Sequence, residues 1–286
     1  MIDVARPICA SVPHHITAAF SPKWTDDPIT TGSIGVGLAV EPRLLMCIGE
    51  GLTGRITETA KKVFTMLGVD HSQAAASRSL PWEMGYASSG ASAVAAAMLS
   101  SVIKGVSLTK ALQAAHYVEV SDRTGLGDVL AISCGIGVVL RRRPGAPGVG
   151  EAECAPAPSS VSIVALEVGQ MSTRELLSSL SDIYYSKSEE LVRALDRELS
   201  FDNFVQLVTQ FTDSLGLARS AFGDRTMDHV KRTPGLIGYY VKKRLLVLIV
   251  ERDRAHEALL HASKALNARG RLLEPSLRGP GLGWGA

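Results

Sequence analysis

The stretch Pro81-Trp82-Glu83-Met84-Gly85-Tyr86-Ala87-Ser88-Ser89-Gly90-Ala91-Ser92 carries a loop of small residues straight into an alanine-rich segment. Such a stretch suits anion binding. Small side chains let backbone N–H groups close around phosphate oxygens. A helix N-terminus adds positive potential, and a hydroxyl at the turn reaches a phosphate or a magnesium ion. Neither the Walker A sequence nor the dinucleotide fingerprint is present. The same residues admit a plainer use, in which Ser88 or Ser89 caps the helix and the small side chains permit close packing.

A second signal follows in His116-Tyr117-Val118-Glu119-Val120 and Gly125-Leu126-Gly127-Asp128-Val129. Phosphoryl transfer needs one carboxylate to hold Mg²⁺ on a triphosphate and often another to receive or orient the attacking hydroxyl. Glu119 and Asp128 suit that division. The alternative makes His116 and Glu119 surface neighbours at i, i+3 spacing and Asp128 a turn residue. Three weaker elements stand beside them: Gly32-Ser33-Ile34-Gly35-Val36-Gly37, the basic run Arg141-Arg142-Arg143-Pro144-Gly145, and Ser172-Thr173. They read either as a bent strand, a solvated strand end and a helix cap, or as substrate recognition. In the second case an arginine clamps a carboxylate and hydroxyls orient the other end of a small ligand. His14-His15 reads as a structural pair, because no further residue with metal-ligand spacing accompanies it.

Composition narrows the class. The 286 residues, 46% of them hydrophobic, can bury one large core or two smaller ones. Thirty basic against 28 acidic side chains leave a formal charge of +2, which gives no field suited to a nucleic-acid backbone. Cys9, Cys47, Cys134 and Cys154 form no Cys-x-x-Cys pair and no zinc spacing, so they read as buried or incidental thiols in a reducing cytoplasm. Asp3 and Arg6 interrupt any signal-peptide pattern, and the uncharged run from Gly85 to Ile103 is too rich in serine for a membrane span.

Short apolar stretches from Arg6 to Val40, broken by Pro13, Pro22, Pro28 and Gly32, predict strands joined by loops. Helices are expected over Thr53–Leu67, Ser88–Lys104 and Leu108–Glu119. The β-branched, glycine-punctuated run Val129–Leu140 predicts a buried strand or a bent pair of strands. Pro144–Ser160 reads as a linker that closes a first domain over residues 1–150. A second domain, 160–270, starts on a strand at Val161–Leu166 and a capping box at Ser172-Thr173-Arg174-Glu175. It continues with helical periodicity over Phe201–Ala221, a hairpin around Lys242-Lys243-Arg244 and a helix over Arg254–Leu266. The glycine- and proline-rich residues 271–286 read as a flexible tail.

Taken in order, Pro81-x-x-x-Gly85-Tyr86-Ala87-Ser88-Ser89-Gly90-Ala91 resembles the phosphate-binding motif of the GHMP kinase superfamily, with Ala87 where that motif usually carries glycine. Five further motifs are similar to those of the archaeal pantoate kinases within that superfamily. They are Pro13-x-His15-Ile16-Thr17, Gly32-Ser33-x-Gly35-x-Gly37, His116-x-x-Glu119-Val120, Gly125-Leu126-Gly127-Asp128-Val129 and Arg141-x-x-Pro144-Gly145-Ala146-Pro147-Gly148. The resemblance implies an α+β two-domain GHMP kinase fold. Its N-terminal α/β domain would face a C-terminal ferredoxin-like domain across the active-site cleft. It further implies ATP and Mg²⁺ as cofactors, pantoate as the small-molecule substrate, a cytoplasmic homodimer, and neither a nucleic-acid nor a membrane partner. By position, Gly85, Ala87, Ser88, Ser89, Gly90 and Ala91 would surround the ATP phosphates, and Ser89 and Glu119 would hold the metal. Asp128 would act on the hydroxyl, while Ser33, His116, Arg141 and Thr173 would face the acceptor. Homoserine or a mevalonate-like acid is the alternative acceptor, and a non-catalytic metabolite-binding relative is the alternative outside catalysis.

Overall fold

The computed structural model describes residues 6–77 and 80–285. Two long strands form its spine, β1 (Ile8–Lys23) and β2 (Gly32–Ile48), paired antiparallel. Pro13 does not end β1. It sits at a bulge between Val12 and His14, where the pairing shifts register. A one-residue shift exchanges the faces of a strand. Before the bulge Ile8, Ala10 and Val12 pack in a cluster with the first helices, whereas after it Ile16 and Ala18 join a different cluster. That exchange leaves His15 beside Asp128 and Thr17 lining a cleft.

The first cluster is covered by α1 (Glu58–Met66), α2 (Ser88–Lys104), α3 (Leu108–Ser121) and α4 (Asp128–Cys134). A short strand, β3 (Ala74–Ala76), edges β2 there. Helix α2 is alanine-rich because it is buried on nearly every side, and small side chains let α1, α3 and α4 approach it. The expectation of strand over Val129–Leu140 is corrected by the structure. Only β4 (Val138–Arg143) is extended, and α4 precedes it. Val129 and Ile132, three residues apart, face the helical cluster, Gly127 begins the helix and Gly135 ends it with φ of 65°. Helical spacing outweighed β-branched propensity.

The expected linker over Pro144–Ser160 is likewise corrected, since β5 (Glu151–Ala155) lies within it and pairs with β4. There follow β6 (Val161–Glu167), α5 (Thr173–Ser179), α6 (Asp182–Arg197), α7 (Phe201–Ser214), α8 (Leu217–Phe222) and α9 (Asp224–Val230). The chain then forms the hairpin β7 (Leu236–Lys242) and β8 (Leu245–Glu251), and α10 (Ala255–Leu266). The last strands are β9 (Arg269–Pro275) and β10 (Gly281–Trp284). The antiparallel order β9-β6-β8-β7 with intervening helices is a β-α-β-β-α-β arrangement. The largest core cluster runs across it. Ile16, Val36 and Leu38 of the spine pack with Tyr184, Leu191, Phe204 and Val208 of the helices and with Ile163 and Val247 of the second sheet.

The expected flexible tail is also overturned. Strand β9 pairs with β6 through Arg269–Leu273 and with β2 through Glu274 and Pro275, which joins the two halves, and β10 pairs with β1. Arg43 of β2 fixes the connection by donating to the carbonyls of Arg278 at 3.0 Å and Gly279 at 2.7 Å and to Ser11 Oγ at 2.8 Å. Glycine and proline content alone hid strands whose partners are distant in sequence. The four cysteines are not free thiols: Cys9 and Cys47 are directly opposed on β1 and β2 and joined as a disulfide, and Cys134 is joined to Cys154. Among the described residues no helix is long and apolar enough to cross a membrane.

Arg43→Ala removes a charged donor that several carbonyls and hydroxyls share. A loss of about 1.5–3 kcal/mol is expected in chemical denaturation, together with faster amide exchange over residues 276–285. Unchanged protection of that segment would show that β10 is held without Arg43.

Candidate functional site

A cleft of about 730 Å³ opens where the N-terminus of α2, the turn before α4, β4, the start of α5 and the β7–β8 hairpin meet. Its floor is the loop of small residues before α2. Ala87 precedes the helix with φ of 52°, the left-handed conformation that glycine adopts most readily, and supplies no side-chain cap. The serines are not caps either. Ser88 Oγ donates to Pro81 O at 3.4 Å, and Ser89 Oγ reaches Glu119 Oε2 at 3.3 Å. The first backbone N–H groups of α2 are therefore left without side-chain acceptors, the arrangement that receives an anion. Tyr86 anchors the loop from beneath. Its carbonyl accepts from the backbone of His15 at 3.3 Å, and its hydroxyl donates to Glu167 Oε1 at 2.9 Å.

Glu119 projects from α3 and is 2% exposed, with Thr124 Oγ1 donating to it at 2.8 Å. Burial, and next the charge of Asp128, push its carboxyl up to about 8. Asp128 begins α4 rather than a strand, and Gly90 lets α2 pack against it, since a methyl there would lie 2.8 Å from Asp128 Cβ. Burial opposes its ionisation, but His15, Lys242 and Arg141 prevail and hold it at about 2. Gly125 shows how closely the two acids converge: a methyl there would lie 2.4 Å from Glu119 Oε2 and 3.1 Å from Asp128 Oδ2. His15 Nδ1 is 3.6 Å from Asp128 Oδ1, and burial lowers its imidazole to about 4, so it is neutral at pH 7.

Arg141 is the largest fully buried side chain, 1% exposed. It sits on β4 opposite Gly35 of β2, where a methyl would come within 2.7 Å of its Nη2. Its Nε donates to Ser33 O at 3.4 Å, and among the described residues its Nη1 has no hydrogen-bond partner. A buried guanidinium nitrogen with nothing to donate to is costly unless a ligand supplies the acceptor. Thr173 completes that wall, donating to Thr124 O at 2.9 Å and accepting from Lys243 Nζ at 3.2 Å.

Ser33, Gly85, Ala87, Ser88, Ser89, Asp128, Arg141 and Thr173 of the expected residues line the cleft. Gly90, Ala91 and Glu119 are not among the lining residues: the first two pack beneath the cleft, and Glu119 stands behind Ser89, accepting from its Oγ. His116 is not brought in: it is 1% exposed, and its Nε2 meets Thr31 O at 2.8 Å behind the wall. Sequence reasoning missed Lys242 and Lys243, read only as a hairpin turn, and the placement of His15 beside Asp128. Nothing local marks the lysines; only the three-dimensional meeting of the hairpin with the loop before α2 does.

Among the described residues no group of three or more His, Cys, Asp or Glu side chains gathers to hold a metal unaided. Mg²⁺ bound with a nucleotide needs only one or two carboxylates, because phosphates and water supply the other oxygens. Glu119, Asp128 and the Ser89 hydroxyl fit that requirement. They are hard oxygen donors, and the mutual repulsion of the acids is what a cation relieves.

Gly127 also bears on Arg141, because a methyl there would lie 2.6 Å from both Arg141 Nε and Ser33 Oγ. Gly127→Ala is expected to displace the guanidinium and weaken binding of a small carboxylate by about tenfold or more, with nucleotide affinity kept within threefold. Calorimetric titration of each ligand checks this, and equal loss of both would contradict it.

No protein-family model matches the chain. Over 255 residues it is 27% identical to the pantoate kinase of Thermococcus kodakarensis, covering 79% of this chain and 83% of the relative. It is 25% identical over 228 residues to the pantoate kinase of Methanospirillum hungatei, covering 73% and 76%. Among solved structures, a phosphotransferase related to the CoA biosynthesis pathway superposes with a TM-score of 0.78 at 21% identity, covering 97% of this chain and 98% of that one. Homoserine kinase from Cytophaga hutchinsonii superposes with a TM-score of 0.66 at 16% identity, covering 99% of each chain. The chain is thus similar in sequence to two archaeal pantoate kinases and shares the fold of the solved GHMP kinases.

Proposed function

We propose that the cleft transfers the γ-phosphoryl group of ATP to the primary hydroxyl of pantoate, yielding 4-phosphopantoate on the route to coenzyme A. The observation that carries this reading is the buried Arg141, with Nη1 unpartnered, beside an ionised Asp128. A carboxylate docked on Arg141 sets an acceptor hydroxyl of the same small molecule toward Asp128. The names of the two curated relatives support pantoate as that molecule.

In the transfer, the acceptor oxygen forms a bond to the γ-phosphorus as the bond to the β–γ bridging oxygen breaks. ADP departs, and the hydroxyl proton passes to Asp128 or to water. With a carboxyl near 2, Asp128 is a weak proton acceptor toward a ground-state alcohol. Its natural task is to orient the hydroxyl, because in a loose transition state the proton leaves late. The N-terminus of α2 would hold the phosphates, and Ser89 and Glu119 would hold Mg²⁺, which would supply charge neutralisation. Ser33 and Thr173 meet the polar groups of the acceptor.

Purified protein with Mg-ATP and a panel of pantoate, homoserine, mevalonate and shikimate is expected to release ADP with pantoate alone. Asp128→Asn should lower kcat by roughly 10²-fold or more, the cost of a misplaced hydroxyl. Arg141→Ala should raise the KM for pantoate by about 10–100-fold, the loss of one charge-assisted contact. Turnover with another acid would keep the chemistry and replace the acceptor. Saturable binding without turnover on any acceptor would replace catalysis by metabolite binding.

A further inference from the structure

The β7–β8 hairpin enters the cleft with two lysines. We propose that Lys242 is a catalytic cation that contacts the γ-phosphoryl group during transfer, delivered by a hairpin that docks on the phosphate loop at Gly85, with Lys243 positioning Thr173. This rests on the phosphotransfer reading above and extends it to residues of the second sheet.

Three observations support the assignment. The first is proximity. Lys242 Cγ would lie 3.1 Å and its carbonyl 3.3 Å from a methyl at Gly85, so the hairpin backbone packs directly on the loop that precedes α2. Gly85 itself has φ of 102°, a conformation that strains any other residue, and a methyl there would press on the hairpin.

The second is the company of the ammonium group. Lys242 Nζ lies 4.5 Å from the centroid of Phe20, a cleft-lining ring, and forms no ion pair among the described residues. A lysine this enclosed, held by a ring face rather than a carboxylate, still has donors to give to an anion. Burial lowers its ammonium to about 7 against the raising effect of Asp128, with Lys243 and Arg141 adding to the lowering, so an incoming polyanion favours the charged form. Asp128 is shared by three cations, and an anionic ligand with more than one charge is what balances them.

The third is backbone cost. Lys243 occupies a two-residue hairpin turn with φ of 57°, a position where asparagine or glycine is the ordinary choice. Its side chain turns into the cleft and donates to Thr173 Oγ1 at 3.2 Å. An unfavourable backbone conformation retained at the rim of a cleft, with the side chain directed inward, is the pattern of a functional turn.

The γ-phosphoryl group gains charge on its equatorial oxygens as the bridging bond breaks, so a cation placed there acts on kcat more than on ground-state binding. The lysine takes no part in the proton transfer and forms no covalent bond.

Lys242→Met keeps the aliphatic stem against Phe20 and removes the charge. The expected result is a fall in kcat of about 10²-fold or more, with acceptor KM within threefold and thermal stability not reduced. A second readout uses the ratio of ATP to ADP affinity by calorimetry, which should shrink about fivefold or more in Lys242→Met while ADP affinity is retained. Arg244→Ala, in the same turn but outside the cleft, should leave kinetics unchanged. A kcat within twofold of the unaltered protein, or equal loss of ATP and ADP affinity, would overturn the assignment to Lys242. If the unaltered protein turns over no acceptor, the ATP-to-ADP ratio still decides the lysine. If it binds neither nucleotide, the phosphotransfer reading fails and the lysine assignment with it.

Discussion

A guanidinium enclosed by protein with one nitrogen unpaired is the constraint around which the site is built. Arg141 leaves water when β4 pairs with β2, and the strand can close only because Gly35 offers no side chain at that register. Gly127 then lets the turn before α4 settle against the guanidinium, and that turn aims Asp128 at the cleft. Burying a charge without a complete set of acceptors is unfavourable. Asp128 offsets part of the cost through the shared field, and the remaining donor awaits a ligand acceptor. Stability has been exchanged for a preformed, unpaired donor at the cleft.

The two acids are differentiated by the same local packing. Asp128 is encircled by Arg141, Lys242 and neutral His15 and stays ionised, whereas Glu119 lies deeper, next to a neighbour already charged, and keeps its proton to about pH 8. Asp128 thus offers an ionised carboxylate and Glu119 a protonated one at pH 7, the two oxygen-donor groups that with Ser89 would hold a nucleotide-borne Mg²⁺. The bulge at Pro13 underlies this arrangement, because without its exchange of strand faces His15 would not stand beside Asp128.

Much of the half built around α2 is legible in the sequence. Helix α2 and its loop announce themselves by composition, since a buried helix crossed by several others must be made of small residues, and the order of the motifs alone links Ser89, Glu119 and Asp128. The hairpin around Lys242 and Lys243 is also legible as a hairpin, though its destination is not. The readings that fail share a cause. β-Branched content points to strand over Val129–Leu140, yet its first half is bounded by Gly127 and Gly135 and packs at helical spacing. Glycine and proline content points to a linker at residues 144–160 and to a loose tail, yet each contributes a strand whose partner is set by tertiary pairing. Separation in sequence suggests free cysteines, and the pairing of β1 with β2 abolishes that separation for Cys9 and Cys47. The motif around His116 points to the substrate, and burial against Thr31 sets the ring one layer behind.

In the proposed complex Arg141 and Asp128 receive the two ends of one acceptor molecule below the terminal phosphate. A crystal structure of the protein with pantoate and a non-hydrolysable ATP analogue tests it most directly. The pantoate carboxylate is expected on Arg141 Nη1 and its primary hydroxyl on Asp128, in line with the γ-phosphorus. An acceptor carboxylate bound elsewhere, with Arg141 Nη1 still unpaired, would contradict it.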